Sequence, residues 1–221
     1  MKKIISILAF LLFTQNALAH QPRIVDKEMT IVENPEISQA FYGELNGEPE
    51  YYQITSDKEF ELYLGVLVPD IEGIDKDISF TVYKDEEVLW DFDGLNHEWT
   101  YFWEEFGGDG YYNGPELRSN PNEEYPKGVI ADSGIYQIKV FSADNEGKYV
   151  LAVGTIESFP PDEILNTIKT LPTLKSDFFG KSALSAFNNK IGMFIFGPVI
   201  LLIMVAGIAI YVIRRHKRKK L

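Results

Sequence analysis

Phe60-Glu61-Leu62-Tyr63-Leu64-Gly65-Val66-Leu67-Val68 sets an apolar side chain at every second position. Successive side chains of a strand point to opposite faces, so Phe60, Leu62, Leu64, Val66 and Val68 line one buried side. Downstream the pattern recurs in Ile78, Phe80 and Val82, then in Tyr136, Ile138 and Val140, and again in Tyr149, Leu151 and Val153. Upstream, Arg23 to Val32 reads as extended, as do Ala40 to Leu45 and Glu50 to Thr55, the last two joined by a turn at Asn46-Gly47. Lys84-Asp85-Glu86-Glu87 turns the chain into Val88 to Phe92, Trp99 to Trp103 is a further strand, and Asp144-Asn145-Glu146-Gly147 makes a hairpin turn. Phe106 to Gly128 breaks the rhythm with Gly107, Gly108, Gly110, Gly114, Pro115, Pro121 and Pro126, and reads as a long surface loop. Roughly eight or nine short strands with no helix between them predict a mainly β fold, an antiparallel β-sandwich or jelly roll.

The two ends of the chain carry a different signal. Lys2 and Lys3 precede the apolar run Ile4 to Phe13, and Ala17-Leu18-Ala19 supplies small residues, so residues 1–19 read as a signal peptide cleaved before His20. Ile191 to Ile213 is free of charge and, at about 1.5 Å per residue, spans roughly 34 Å, enough to cross about 30 Å of hydrocarbon. Arg214, Arg215, Lys217, Arg218, Lys219 and Lys220 follow at once, and such clusters stay on the cytoplasmic side. The expected order is therefore a signal peptide at 1–19, a β-sandwich ectodomain at 20–158, a helical membrane-proximal stalk at 159–190, a transmembrane helix at 191–213 and a basic cytoplasmic tail at 214–221. In the stalk, Pro160-Pro161-Asp162-Glu163 opens one helix that ends near Leu171-Pro172. Ser176 to Lys190 reads as another, with Phe178, Phe179, Leu184 and Phe187 placed to lie on the membrane surface. This organisation implies a single-pass protein in the bilayer, its ectodomain periplasmic or extracellular.

Of the 21 basic residues two lie in the first segment and six in the tail, so 13 remain to set against all 33 acids, a balance of −20 for the ectodomain and stalk. Nonspecific nucleic-acid binding needs the opposite sign, which excludes that class of partner. The chain has no cysteine, so neither disulfides nor thiol chemistry contribute.

Phe41-Tyr42-Gly43-Glu44-Leu45-Asn46-Gly47-Glu48-Pro49-Glu50-Tyr51-Tyr52-Gln53-Ile54 resembles the opening of the bacterial pre-peptidase C-terminal domain, "G-x-L … D-x-Y-x-F/I". Ser133-Gly134-Ile135-Tyr136-Gln137-Ile138-Lys139-Val140 and Gly147-Lys148-Tyr149-Val150-Leu151-Ala152-Val153 resemble its closing hairpin, "G-x-Y-x-x-x-V … G-x-Y-x-L-x-V". The resemblance runs from Ala40 to Gly154 and implies a non-catalytic, jelly-roll-like module. The stretch from Trp99 to Ile130 is longer and more aromatic than the family pattern.

Three sets of residues are candidates for binding. All three tryptophans fall between positions 90 and 103, and Trp99, Tyr101, Trp103, Tyr111 and Tyr112 form an aromatic cluster suited to stacking on a glycan or anchoring a protein partner. His20, as a new N-terminus, offers an amine and a ring nitrogen to copper, and His97 is the second histidine such a site needs. This arrangement resembles copper-resistance carrier proteins and lytic polysaccharide monooxygenases. Asp91, Asp93, Asn96 and Glu98, with Asp109, Asn113 and Glu116, are oxygen donors of the kind calcium takes, although their spacing is not that of an EF-hand. No G-x-S-x-G, H-E-x-x-H or phosphate-cradling loop occurs. The residues point to a tethered binding module and not to an enzyme.

Overall fold

The protein is described by a computed structural model that covers residues 20–26, 29–123 and 125–218. The signal-peptide expectation at 1–19 and the last three residues of the tail lie outside the described residues. The alternating segments become thirteen strands: β1 (Gln21–Ile24), β2 (Met29–Ile31), β3 (Gln39–Asn46), β4 (Glu50–Ser56), β5 (Phe60–Leu62), β6 (Leu64–Pro69), β7 (Ser79–Lys84), β8 (Glu87–Phe92), β9 (Thr100–Glu104), β10 (Asp109–Leu117), β11 (Val129–Ala131), β12 (Gly134–Phe141) and β13 (Glu146–Val153). They form a six-stranded sheet in the order β1-β3-β13-β6-β10-β9, a five-stranded sheet in the order β2-β4-β12-β7-β8, and a small pair, β11-β5.

The two large sheets pack face to face over one apolar core. Phe41, Leu45, Val66, Val68, Tyr149, Leu151 and Val153 meet Tyr52, Ile54, Phe80, Val82, Tyr136, Ile138 and Val140 there. The tyrosines keep their hydroxyls satisfied inside it: Tyr52 and Tyr149 bond to each other across the sheets at 2.7 Å, and the Tyr136 hydroxyl donates to the Asp132 carbonyl at 2.8 Å. Burial of these phenols holds Tyr52 and Tyr149 un-ionised, well above the ordinary tyrosine value. Gly43 pairs with Tyr149, and a β-carbon at Gly43 would lie 2.5 Å from the ring, so the bare backbone is what admits the phenol. The Asp85-Glu86 turn holds both residues at positive φ, 50° and 67°, as a two-residue hairpin of primed type requires.

The five residues of the opening run are all buried, as the alternation predicts, yet they do not belong to one strand. The chain leaves β5, paired with β11, and enters β6 in the six-stranded sheet, with Tyr63 at the crossing. The sheets are also mixed and not purely antiparallel: β1 runs parallel to β3, and β2 parallel to β4. Side-chain alternation reports burial and carries no information on strand direction. The expected loop at 106–128 is corrected as well, because its first half is β10, a nine-residue strand between β6 and β9. Its register shifts between Asn113 and Glu116, and Gly114 and Pro115 sit in that irregularity, where a strand tolerates a missing N–H.

Two helices follow, α1 (Pro161–Thr173) and α2 (Lys190–Arg218), joined by a π-helical turn over Leu174–Phe178 and a 3-10 turn over Ala183–Phe187. The expectation that Phe178 and Phe179 lie on a membrane is overturned. Each is only 7% exposed, packed with Leu171, Leu174 and Ala186 on the outer face of the six-stranded sheet against Ala40, Tyr111 and Val150. Phe178 meets Tyr42 edge-on at 5.1 Å, and Phe179 meets Tyr111 at 5.7 Å. Leu184 is exposed, whereas Phe187 is partly buried against this second cluster.

Polar contacts lock the helical segment in place. The Arg23 guanidinium grips Glu163 of α1 with two bonds of 2.7 Å, a bidentate pair that fastens α1 to edge strand β1. Asp109, 3% exposed at the start of β10, accepts from Lys175, itself 2% exposed, and from Lys181 at 2.8 Å. Lys175 also donates to the Gly107 carbonyl at 2.7 Å. By contrast α2 packs little on the rest of the chain. It is long and apolar enough to cross a membrane, with a mean hydropathy of 2.7 in an 18-residue stretch within residues 190–216, and its middle is exposed.

Two outcomes test these locks by denaturant unfolding of the full chain in detergent. Asp109→Ala leaves Lys175 buried without its carboxylate and is expected to cost about 3–5 kcal/mol, whereas Asp109→Ala combined with Lys175→Met costs much less than the two single changes added. Strict additivity would show that the pair carries no coupling. The Arg23 bonds hold the Glu163 carboxyl below its ordinary value. A depressed folded pKa contributes stability that is complete above the unfolded value, about 4.3, and lost as the pH falls through the folded one. Glu163→Gln is therefore expected to lower stability near neutrality and to narrow its gap to the parent as the pH drops below about 4; a gap independent of pH would assign the loss to something other than this pair.

Candidate functional site

Trp99, Tyr101, Trp103, Tyr111 and Tyr112 sit on or beside the β9–β10 hairpin, and the pairing register sorts them. Tyr101 stands opposite Tyr112 and Trp103 opposite Gly110 on one face of the sheet; Phe102 stands opposite Tyr111 on the other. Tyr111 is 5% exposed, stacked on Phe102 at 5.6 Å beneath the helical segment, with its hydroxyl 3.2 Å from that of Tyr42. Desolvation keeps its phenol protonated far beyond the ordinary range. It is a core residue and is removed from the binding set. Trp99 is half-buried and packs against the main core. Its indole N–H donates to the Gly94 carbonyl at 2.8 Å, and its ring covers Gly114 so closely that a β-carbon there would lie 2.3 Å from it. Trp99 therefore closes the open side of the core.

Tyr101 and Trp103 remain. Each is 53% exposed, on the inward-facing side of β9, the last strand of its sheet. Tyr101 meets Tyr112 edge-on at 5.5 Å, and Lys76 lies 4.3 Å from the centre of the Tyr112 ring. The Asp70 carboxylate beside the Tyr112 hydroxyl raises that phenol's pKa, and Asp70 also flanks Gly110. The ledge thus combines two accessible aromatic faces with one cation and one carboxylate. Stacking surfaces rimmed by polar groups suit recognition. Composition showed the aromatic cluster; the split between buried Tyr111 and half-buried Tyr112 follows strand parity within β10, which the loop reading had hidden.

The metal candidates are not assembled. His20 precedes β1 and His97 lies in the β8–β9 connection, beside opposite edges of the six-stranded sheet. Five strand spacings of about 4.8 Å put them on the order of 24 Å apart, beyond the reach of a single copper ion. The His20 Nδ1 is paired instead with the Ser38 hydroxyl, and the His97 ring lies 6.0 Å from Trp99. Five of the seven calcium candidates have other duties. Asp109 is consumed by its two lysines, Asp91 accepts from Thr81, Asp93 accepts from the Leu95 N–H and the Asn96 amide, and Glu116 takes Arg118 and the Tyr63 hydroxyl. Among the described residues no three His, Asp or Glu side chains come together as a metal-binding group. An open cleft is lined by Phe92, His97, Pro115, Glu116, Arg118 and Pro121.

The residues between Glu104 and Asp109 were not legible as functional. The Glu104 carboxylate folds back on the hairpin tip, accepting from the Phe106 and Gly107 N–H groups at 2.7 and 2.6 Å. Burial raises its pKa despite those bonds. The tip is then held by Lys175, Asn189 and Lys190, which reach Gly107, Gly107 and Glu105 respectively.

No family model matches the chain, and none of the curated proteins matches it. Solved structures do show a weak likeness. The pre-peptidase C-terminal domain of a collagenase from Bacillus anthracis is 10% identical with a TM-score of 0.33, over 58% of this chain and 96% of that one. CorA of Methylomicrobium album BG8, a surface-associated copper-binding protein, is 9% identical with a TM-score of 0.28, over 61% of this chain and all of its own. The catalytic domain of a GH87 alpha-1,3-glucanase is 13% identical with a TM-score of 0.27, over 55% of this chain and 23% of its own. What this chain shares with the pre-peptidase C-terminal domain is a weak and partial resemblance of fold.

Proposed function

We propose that this chain is a membrane-anchored, extracytoplasmic recognition module with no catalytic role, built on a β-sandwich of jelly-roll type. In this reading residues 1–19 direct export and are removed, α2 crosses the bilayer over 191–213, and the basic residues of 214–221 remain in the cytoplasm. An 18-residue stretch of mean hydropathy 2.7 whose side chains are not buried among the described residues supports the anchor. The cations that follow it support the orientation.

The single observation that carries recognition is the exposed Tyr101 ring, set edge-on to the half-buried Tyr112 and rimmed by Lys76 and Asp70 on an edge strand. Its ligand is a protein or a glycan at the cell surface or in the periplasm. Affinity would come from aromatic burial, and selectivity from the cation and carboxylate beside it.

The absence of native cysteine makes the topology simple to read. Ser119→Cys is expected to react with a membrane-impermeant maleimide on spheroplasts, and Arg218→Cys only after permeabilisation; the reverse pattern would invert the anchor. Recognition is read separately, by a photo-crosslinking residue placed at Tyr101 in cells. One discrete adduct is expected, suppressed by excess unlabelled chain and not by the Tyr101→Ala/Tyr112→Ala form. Adducts no different from those obtained at Glu48, in an unrelated turn, would reject the ledge as a binding surface.

A further inference from the structure

We infer that the tip of the β9–β10 hairpin is itself a lipid-contacting element, with Trp103 and Phe106 seated in the headgroup layer beside α2. The inference rests on α2 being the membrane anchor and adds a second, independent contact between the β domain and the bilayer.

The hairpin tip and the start of α2 form one cluster of contacts. The Ile191 N–H donates to the Phe106 carbonyl at 3.3 Å, and the Asn189 amide donates to the Gly107 carbonyl at 2.7 Å. Lys190 pairs with Glu105, and its ammonium lies 5.6 Å from the centre of the Phe106 ring. These bonds attach the tip to residues 189–191, where the apolar stretch begins. A β-carbon at Gly108 would lie 3.5 Å from Asn189 and 3.9 Å from the Trp103 ring, so the indole is beside the same point. The bilayer's hydrocarbon is about 30 Å thick within a total of about 40–45 Å, which leaves a headgroup layer of roughly 5–8 Å on each side. Groups bonded to the first residues of a spanning helix fall inside that layer.

The side chains suit the place. Trp103 is half exposed, and unlike Trp99 its indole N–H has no hydrogen-bond partner within the described residues. A ring with an apolar body and an unused N–H is the amphipathic form that concentrates at membrane interfaces. Lys181 and Lys190, both partly exposed, set cations at the same level, where lipid phosphates lie. Phe187 packs on Phe196 of α2 at 5.4 Å, which continues the aromatic level onto the helix itself. Tyr101 stands two residues farther from the tip, about 7 Å up the strand, and stays clear of the lipid for the recognition role.

The test uses the full chain reconstituted into phosphatidylcholine vesicles that carry a nitroxide either on the headgroup or near the end of the acyl chain. Headgroup nitroxide is expected to quench tryptophan emission strongly, acyl-end nitroxide weakly, and the difference is expected to vanish in Trp103→Phe, in which only Trp90 and Trp99 emit. Quenching that persists unchanged in Trp103→Phe, or that is absent from the parent chain, overturns the hairpin contact. Flotation of the same vesicles on a density gradient reads the anchor on its own. A chain that floats without Trp103 quenching refutes the hairpin contact alone; a chain that fails to float removes the anchor and the inference with it.

Discussion

One buried carboxylate holds the two halves of this molecule in register. Asp109 begins strand β10 and lies beneath the helical segment, where it is neutralised by Lys175 from the π-helical turn and by Lys181 beyond it. An unpaired charge at that depth would be costly, so the position of each partner constrains the others. Fixing Lys175 seats Phe178 and Phe179 against Tyr42 and Tyr111. Fixing the hairpin tip sets where α2 begins. The segment between the β domain and the apolar helix therefore acts as a second layer of the domain and not as a flexible tether.

That constraint also explains what was legible in the residues and what was not. Alternation in Phe60 to Val68, Phe80 to Val82, Tyr136 to Val140 and Tyr149 to Val153 reports the inter-sheet core because each position touches the same buried layer. It is silent on direction, so the parallel pairs β1–β3 and β2–β4 left no trace. β10 escaped because Gly110, Gly114 and Pro115 weaken any strand signal; the glycines are there to admit Tyr101 and Trp99, and the proline falls at a register shift. Phe178 and Phe179 were recognisably one apolar face, but periodicity cannot say whether lipid or a sheet covers such a face.

The aromatic candidates divide along the same lines. Crowding of tryptophan and tyrosine between positions 90 and 112 was visible at once. Of the five residues singled out, the fold spends Tyr111 on the second core and Trp99 on closing the first, and leaves Tyr101 and Trp103 open with Tyr112 between them and the core. His20 and His97 show the reverse case. Two residue types with the right chemistry lie at opposite edges of one sheet, a separation no one-dimensional spacing reveals.

The last hairpin has a consequence for how the chain reaches this state. β12 is the central strand of the five-stranded sheet, and β13 lies between β3 and β6 in the other. Both sheets are thus completed by the final two strands, which must enter between neighbours already present rather than add to an edge. The Tyr52–Tyr149 bond alone joins residues 97 positions apart. Such closure makes assembly slow and cooperative, dominated by loop-closure entropy. Until β12 and β13 arrive, β3, β4, β6 and β7 expose unpaired backbone on their inner edges, so a nascent or truncated chain ending before residue 134 is a template for pairing with other chains and not a smaller version of the domain.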